Sequence, residues 1–278
     1  ALNGASWKLS VQCFKVRNMR WILTVWQKKH LDDEWQKAIE AFDAVSIKIA
    51  DGKRGFFRRG EAQEVIRATK EKGVSAHGWG YHYCRTTQEA REEGTAAGKA
   101  AFALDVSAYH LNLEKHWAGI WGAPKTADPE RAALAFIDSF KNASHNSIPI
   151  AWNGFSIEKK WRGRRFCTEN VIRNCDAWIP MCYGSIHRRV KRSRKWTDRG
   201  IDIQQGAMIA SGRLNRSGKP TLTQEGKRSL DTFLSQAKPD VVAIWYGAGA
   251  KGMLTQGNAH NAPWPQYIKE NNCAMVQS

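Results

Sequence analysis

The stretch AYHLNLEKHW (residues 108–117) closes a short apolar-alternating run with an unusual group of polar side chains. Asn112 and Glu114 end the run, and Trp117 and Trp121 follow closely. A carboxyl group in aromatic surroundings holds its proton more readily, because desolvation disfavours the charged form. Such a group suits protonation of the leaving oxygen of a glycosidic bond. Glu114 is therefore the candidate general acid.

A second acid, Asp51, follows another predicted strand, and no other carboxylate has a comparable position. Glycoside hydrolysis combines a proton donor with a group that stabilises an oxocarbenium-like centre, so Glu114 and Asp51 form the candidate pair. Two structural interpretations remain open. Glu114 could pair with Lys115 or a nearby arginine on the surface, and Asp51-Gly52 is a common turn dipeptide.

Aromatic and polar side chains stand where other predicted strands end, and the rings among them suit stacking on sugar faces. In a barrel of parallel strands, the carboxyl ends of the strands build the active site. The candidate ligand-binding residues are Trp26, Lys48, Tyr81, Tyr83, Trp117, Trp152, Tyr183, Trp245 and Tyr246.

These residues depend for their positions on eight predicted strands that alternate with helical segments. The strands are predicted at 21–27, 44–52, 74–84, 106–114, 147–156, 176–184, 202–212 and 241–249, and the helices at 31–42, 61–73, 86–104, 128–143, 168–175, 223–238 and 265–272. The alternation predicts one α/β domain over 19–278, a TIM-like (β/α)8 barrel of irregular form, with 1–18 as an N-terminal extension. A doubly wound sheet is the alternative, and the lack of a Gly-rich loop after the first strand disfavours it.

The chain of 278 residues carries 43 Lys and Arg against 26 Asp and Glu, a formal net charge of +17. This excess predicts attraction to a polyanion. The 13 tryptophans suit stacking on sugars, and equally on single-stranded nucleic acid. The basic run at 187–199 is expected to form a surface loop. A nucleic-acid-binding hypothesis rests mainly on this run, and a solvated loop is the simpler interpretation.

Several other sites are not predicted. The six scattered cysteines form no C-x-x-C pair and are expected to be buried free thiols, with a local Cys167–Cys175 disulfide as the alternative in an oxidising compartment. The spacing of His77, His82, His110 and His116 matches no metal motif, so neither a metal nor a cofactor is expected. The sequence shows neither a membrane span nor a signal peptide.

Motifs in about the first 120 residues resemble those of glycoside hydrolase family 25, the muramidase-type lysozymes that include many phage endolysins. That family has an IKATEG-like second strand, a Y-H-F/Y third strand and a D-x-E fourth strand. The matching segments here are Trp26-Gln27, IKIADG (47–52), GYHY (80–83) and NLE (112–114). The later strands WIPMCY and IWY are compatible with the same pattern.

The resemblance implies an irregular β/α barrel that cleaves the linkage from N-acetylmuramic acid to N-acetylglucosamine in peptidoglycan. Glu114 matches the family's acid, and Asp51 falls where the second-strand motif has its acid. Asn112 stands where the family has an Asp that orients the substrate acetamido group or acts as nucleophile. Thr24 or a neighbour occupies the place of an acid common on strand one.

The sequence thus predicts a lysozyme-like glycoside hydrolase that uses Glu114, Asp51 and Asn112 on bacterial peptidoglycan or another anionic glycan. A monomer is expected, outside the cell or directed to the cell wall, with no obligate nucleic-acid partner. Because Asn112 replaces an expected Asp, a non-catalytic glycan-binding or phage structural barrel is the alternative. A nucleic-acid-binding protein is the third and weakest hypothesis.

Overall fold

A computed structural model describes residues 19–31, 34–114, 128–154, 169–182, 185–210, 213–214, 220–221, 224–246 and 264–274. Its strands are β1 (Arg20–Val25), β2 (Ala44–Asp51), β3 (Arg54–Gly55), β4 (Ser75–His82), β5 (Ala108–Leu113), β6 (Ile150–Trp152), β7 (Ala177–Trp178), β8 (Gln204–Ala210), β9 (Arg213–Leu214), β10 (Pro220–Thr221) and β11 (Val241–Tyr246). Its α-helices are α1 (Trp35–Ala38), α2 (Arg59–Glu71), α3 (Thr87–Ala103), α4 (Pro129–Ala143), α5 (Glu169–Arg173), α6 (Ile186–Ser193), α7 (Gln224–Ala237) and α8 (Trp264–Ala274). Short 3-10 turns span Lys28–His30, Ile39–Ala41 and Thr197–Arg199.

Eight of the strands close into a parallel barrel. The order around it is β1, β2, β4, β5, β6, β7, β8 and β11, and β1 pairs in parallel with both β2 and β11. Strands therefore follow one another around the barrel in chain order, with helices between most of them, as in a (β/α)8 fold. The predicted TIM-like barrel is confirmed. Its irregularity lies in β6 and β7, which have three and two residues.

The barrel has two apolar layers because successive strand residues point to opposite faces. One layer fills the barrel interior, and its residues are Ile22, Ala44, Ala151, Ala177, Ile179, Met181, Met208, Val241 and Ala243, with Trp245 partly buried against them. The larger layer lies between the strands and the helices, and it includes Leu23, Ile47, Leu111, Trp152, Phe136 and Tyr246. A strand residue's face therefore decides whether it can reach a ligand at the barrel mouth.

Helices α3 and α4 are packed closely on the side of the barrel that carries Glu114. The Thr86 hydroxyl accepts a hydrogen bond from the backbone N–H of Glu89 at 3.0 Å and caps α3, and Asp128 caps α4 in the same way. A Cβ added at Gly94 of α3 would lie 2.3 Å from the carbonyl oxygen of Phe136 in α4. The glycine thus permits the close helix–helix contact.

The predicted elements differ from the observed ones in several places. The helix predicted at 31–42 is reduced to the four residues of α1 and a 3-10 turn. The basic run at 187–199, predicted as a loop, instead begins as helix α6. That prediction was wrong because Ile186 and Val190, four residues apart, pack against the core while Arg and Lys favour helix. The predicted extension 1–18 lies outside the described residues.

Cys84, Cys175 and Cys182 are free thiols. The alternative Cys167–Cys175 disulfide involves Cys167, which lies outside the described residues. Burial raises the pKa of Cys175 and Cys182 to about 12. In the described part of the chain, no helix is long and apolar enough to span a bilayer.

A histidine pair lies inside the barrel towards its amino end. Nδ1 of His77 lies 3.1 Å from Nε2 of His110, next to a cavity of about 290 Å³ that Arg20 also lines. Burial, with a smaller contribution from the charge of Arg20, lowers the pKa of His77 to about 4. Burial also lowers the pKa of His110, and His77 adds to that effect. Both rings are therefore neutral near pH 7.

This pair is expected to make the fold sensitive to acid. The folded-state pKa of His77 lies below the unfolded value, so on acidification from pH 6.5 to 4 the unfolded chain takes up a proton first. The free energy of unfolding falls by about 3 kcal/mol through this proton uptake, and the fall is complete below about pH 4. Urea unfolding gives the free energy of unfolding at pH 7 and at pH 4. The decrease between the two pH values should be smaller for His77→Gln than for the wild type. The exposed His187→Gln is the control, and an equal loss in both variants would refute the assignment.

Candidate active site

A bulge in β2 brings Lys48 and Asp51 to the same face of the barrel. Strict alternation would place residues three apart on opposite faces. The register with β4 shifts between Lys48 and Ala50, so Ile49 is the extra residue. Nζ of Lys48 lies 3.4 Å from Oδ2 of Asp51, which confirms that both side chains reach the same side.

Gly52 turns the chain directly after Asp51. Its φ of +56° is readily adopted only by glycine, and a Cβ there would lie 2.7 Å from the Tyr83 ring. Its N–H donates to the carbonyl of Tyr81 at 2.8 Å. The Asp51-Gly52 pair is therefore a turn, as the structural interpretation held, and the same turn ends the strand with Asp51 at the mouth.

Asp51, Tyr81 and Asn112 form a row across three adjacent strands. Asp51 is paired in register with Tyr81, and Tyr81 with Asn112. Glu114 directly follows β5, one interior position above Asn112. Because β4 stands between β2 and β5, the backbones that carry the two acids are about 10 Å apart. Tyr81 lies between them.

Asn112 holds Glu114 by a direct hydrogen bond. Nδ2 of Asn112 donates to Oε1 of Glu114 at 2.9 Å. Oδ1 of Asn112 is buried and has no hydrogen-bond partner in the described part of the chain, and the same is true of Oδ1 of Asn153 after β6. A buried acceptor without a partner is costly, and a ligand N–H or O–H would satisfy it. The end of β5 is thus prepared to receive a donor.

Lys48 lies beneath this row among aromatic rings. Its side chain is 6% exposed, and Nζ lies 4.6 Å from the centre of the Phe57 ring and 5.3 Å from that of Trp79. Trp26 and Tyr81 lie within 6.0 Å. Burial lowers the pKa of Lys48, and the Asp51 carboxylate offsets part of that effect. The rings and Asp51 together stabilise the buried ammonium.

The phenol of Tyr81 stays protonated. Burial is the largest cause that raises its pKa, followed by the negative charges of Glu114, Tyr83 and Asp51. Both candidate acids therefore act on one hydroxyl group, which places them around a common space. A neutral phenol in that space is a hydrogen-bond donor over the whole physiological pH range.

A buried polar network fixes the end of β4 behind the site. The Glu93 carboxylate accepts hydrogen bonds from the backbone N–H of Tyr83 at 2.9 Å and of Cys84 at 3.4 Å. Nδ1 of His82 lies 3.1 Å from Oε2 of Glu93, and Nε2 of His82 lies 2.6 Å from the Tyr109 hydroxyl. All of these side chains except that of Tyr83 are fully buried. Glu93 thus sets where Tyr81 and Tyr83 leave the strand.

Removing the Glu93 carboxylate is expected to destabilise the fold strongly. Glu93→Ala would leave two backbone N–H groups and His82 without their acceptor, at a cost of about 3 kcal/mol in the free energy of unfolding. Glu92→Ala is the matched control, since that neighbouring side chain is exposed and its ion pair with Lys53 contributes little. Urea unfolding measures both variants. Equal stability of the two would contradict a structural role for the network.

The structure separates the predicted ligand-binding residues into three groups. Trp26, Lys48, Tyr81, Tyr83 and Trp245 lie at or just below the carboxyl ends of the strands, around Asp51 and Glu114. Trp152 and Tyr246 are 0% exposed in the layer between strands and helices, so their rings do not face the mouth. Trp117 and Tyr183 lie outside the described residues.

Sequence reasoning missed three contributors to this site, namely Trp79, Phe57 and Glu93. Trp79 donates from Nε1 to the carbonyl of Val25 at 2.7 Å and packs edge-on against Trp245. Phe57 covers Lys48, and Glu93 anchors β4. Only Trp79 carried a signal, its position two residues before Tyr81 on the same strand face. The described residues contain no cluster of three or more His, Cys, Asp and Glu that could hold a metal ion.

Comparison with known proteins supports the fold. Neither a family model nor a curated protein matches the sequence. The solved structure of the spore cortex-lytic enzyme SleL from Bacillus megaterium is similar, with a TM-score of 0.63 at 10% identity over 92% of this chain and 74% of that one. The structure of GH5_18 from Bifidobacterium longum is also similar, with a TM-score of 0.61 at 10% identity over 94% of this chain and 80% of that one.

A chitinase from Bacteroides thetaiotaomicron is also similar, with a TM-score of 0.57 at 9% identity over 82% of this chain and 89% of that one. At such low identities the likeness concerns the fold alone. It agrees with the closed parallel barrel, and the function must be argued from the site itself.

Proposed function

We propose that this chain is a glycoside hydrolase that cleaves the peptidoglycan backbone between 2-acetamido sugars. The observation that carries the proposal is the Asn112–Glu114 hydrogen bond at the carboxyl end of β5, beside which Asn112 Oδ1 has no hydrogen-bond partner among the described residues. An acid held by an amide, next to a vacant acceptor, suits a substrate with an N–H group close to its scissile bond.

Glu114 is the general acid in this proposal. The N–H of Asn112 donates to Oε1 of Glu114 and orients the carboxyl group. The protonated carboxyl group then gives its proton to the leaving glycosidic oxygen. Asn112 Oδ1 accepts the acetamido N–H of the sugar and fixes its orientation. Asn112 is thus a positioning residue for the acid and a binding residue for the substrate.

Asp51 is the second carboxylate. It faces the same space from β2, and Lys48 beneath it keeps a positive charge within 3.4 Å. An ionised Asp51 would stabilise the cationic centre that develops at the sugar, a charge that the amide of Asn112 cannot supply. The protonated Tyr81 between the two acids donates to the substrate. Trp26 and Trp245 flank the mouth and are suited to stacking on sugar rings.

The similar structures and the charge agree with a cell-wall substrate. SleL is described as a spore cortex-lytic enzyme, and another similar structure is a chitinase. The net charge of +17 favours anionic wall material. We therefore propose bacterial peptidoglycan as the partner, a site of action at the cell wall, and the finer identity of a muramidase.

The experiment is a comparison of three polymers as substrates. Reducing-end release is measured on purified peptidoglycan, on the same peptidoglycan after chemical de-N-acetylation, and on xylan, which carries no acetamido group. The proposal predicts hydrolysis of the first polymer and a rate at least about tenfold lower on the other two, because Asn112 Oδ1 then lacks its donor. Equal rates on intact and de-N-acetylated peptidoglycan would refute acetamido recognition.

A glycan-binding barrel without turnover is the second candidate. One observation favours it, namely the amide at position 112 where the resemblance implies a carboxylate. Saturable binding to peptidoglycan fragments without any new reducing end would support this function over hydrolysis.

A further inference from the structure

The outer face of α6 is strongly cationic. His187, Arg188 and Lys191 are exposed, whereas Ile186 and Val190 pack on the core. No Asp or Glu occurs between Ala177 and Thr197, a span that holds six Arg and Lys. Neighbours three and four positions apart on a helix are about 5–6 Å apart, so the charges form a row. We call His187, Arg188, Lys191, Arg194 and Lys195 the α6 surface.

This surface is fixed to the barrel. The indole of Trp178 in β7 donates to the carbonyl of Arg192 at 3.2 Å, and the Ser193 hydroxyl donates to the carbonyl of Gly206 in β8 at 3.0 Å. The Arg192 guanidinium donates to the carbonyl of Met181 at 3.3 Å. The helix follows β7, so its first turn lies towards the strand ends that carry the candidate site. A fixed row of charges loses little entropy when it binds.

Two charges of the α6 surface have no ion pair among the residues that the structure describes. Arg194 pairs with Asp198 at 3.1 Å, but neither Arg188 nor Lys191 has a carboxylate partner in that part of the chain. Other helix cations do form ion pairs, as Arg67 does with Glu71 and Arg173 with Glu169. Arg188 and Lys191, three positions apart on α6, thus place two adjacent charges at the surface.

We propose that the α6 surface docks an anionic polymer of the teichoic-acid type, a poly(alditol phosphate) attached to the same wall that the site cleaves. The choice of a wall polymer rests on the proposed function. A chain of phosphodiesters matches a row of cations, and it requires no stacking platform. The tryptophans beside the helix, Trp178 and Trp196, are 0% and 1% exposed, so they offer no platform for the bases of single-stranded nucleic acid.

Two double charge reversals of equal size test the docking. Arg188→Glu with Lys191→Glu changes the α6 surface, and Arg91→Glu with Lys99→Glu changes exposed positions on α3. Each pair lowers the formal net charge by four from +17. Both are made in the Glu114→Gln background, so that binding is read on intact walls whether or not the native chain hydrolyses them. A failed hydrolysis assay thus leaves this test standing.

Binding is measured by co-sedimentation with walls that carry the polymer and with walls stripped of it by hydrofluoric acid, over a range of salt concentrations. The R188E/K191E pair is expected to bind polymer-bearing walls roughly ten- to a hundredfold more weakly at low salt. R91E/K99E should change binding less than about threefold, and the difference should fade towards 1 M salt. Stripped walls should bind both variants alike. Circular dichroism confirms folding, and R188Q/K191Q replaces the first pair if it misfolds.

Three results would overturn the proposal. Equal losses in the two double variants would assign the effect to net charge. A difference that persists on stripped walls would assign it to peptidoglycan. The third result comes from competition between two polymers for the protein. If double-stranded DNA displaces the protein from walls at a lower phosphate concentration than poly(glycerol phosphate), and R188E/K191E weakens both effects equally, nucleic acid is the occupant.

Discussion

Replacing Glu114 by glutamine is expected to lower the rate of peptidoglycan hydrolysis about a thousandfold, within the range found for loss of a general acid. Glutamine has the same shape, and its carbonyl oxygen can still accept the 2.9 Å hydrogen bond from Nδ2 of Asn112. It has no proton to give to the leaving oxygen. Reducing-end release at substrate saturation measures the change.

Two controls make this result specific to the acid. Glu71→Gln, an exposed substitution on α2, should keep the wild-type rate. Glu114→Gln should keep the wild-type affinity for peptidoglycan fragments, since the Asn112 and aromatic contacts remain. A rate for Glu114→Gln within threefold of the wild type would remove Glu114 from the mechanism.

Substitutions at Asn112 are expected to have the second-largest effect, and in opposite directions. Asn112→Leu removes both the donor to Glu114 and the acceptor Oδ1, so a rate loss of about a hundredfold is expected. Asn112→Asp places a carboxylate beside the Glu114 oxygen. Two adjacent carboxylates resist double ionisation, so the pair keeps one proton to higher pH. Asn112→Asp should stay active and extend its activity to higher pH.

The pH dependence of kcat/KM between pH 4 and 9 measures both variants against the wild type. The descending limb, where the acid loses its proton, should move upwards in Asn112→Asp because of the added charge. It should also move upwards in Asn112→Leu, because the Glu114 carboxylate loses its N–H donor, so the retained rate distinguishes the two variants. Asn153→Asp is a useful comparison, because it adds the same charge one strand away, just after the Leu111–Trp152 pair, and shows how far the effect depends on direct contact with Glu114. A wild-type rate for Asn112→Leu would show that the amide neither positions the acid nor binds substrate.

The architecture followed from the sequence because strand–helix alternation is a strong local signal. Apolar strands with helical segments between them predicted the barrel, and the barrel implied that strand ends meet on one face. Asp51, Tyr81 and Asn112 could be grouped on that basis, and their register confirms the grouping. Each lies at or next to the last residue of its strand, and the sequence shows that position because the apolar run ends there.

Side-chain direction was harder to predict, since one residue of error reverses it. Trp152 and Tyr246 are the last residues of β6 and β11 and point towards the helices, which alternation from the correct register would have shown. The bulge at Ile49 breaks the alternation in β2. Strict alternation would have put Lys48 and Asp51 on opposite faces, whereas the bulge places them on the same side. Glu93 lies on α3, ten residues after Tyr83, and the sequence pattern did not show that packing turns its carboxylate back onto the end of β4.

Mass spectrometry of borohydride-reduced products tests the central claim most directly. Purified peptidoglycan is digested with the native chain and with Glu114→Gln, and the soluble fragments are analysed for their reduced terminal sugar. The account predicts new fragments that end in reduced N-acetylmuramic acid from the native chain, and almost none from the variant. Two results would contradict it. One is the same amount of fragments from the native chain and from Glu114→Gln, with no increase over time, and the other is saturable binding of peptidoglycan without any reduced terminal sugar.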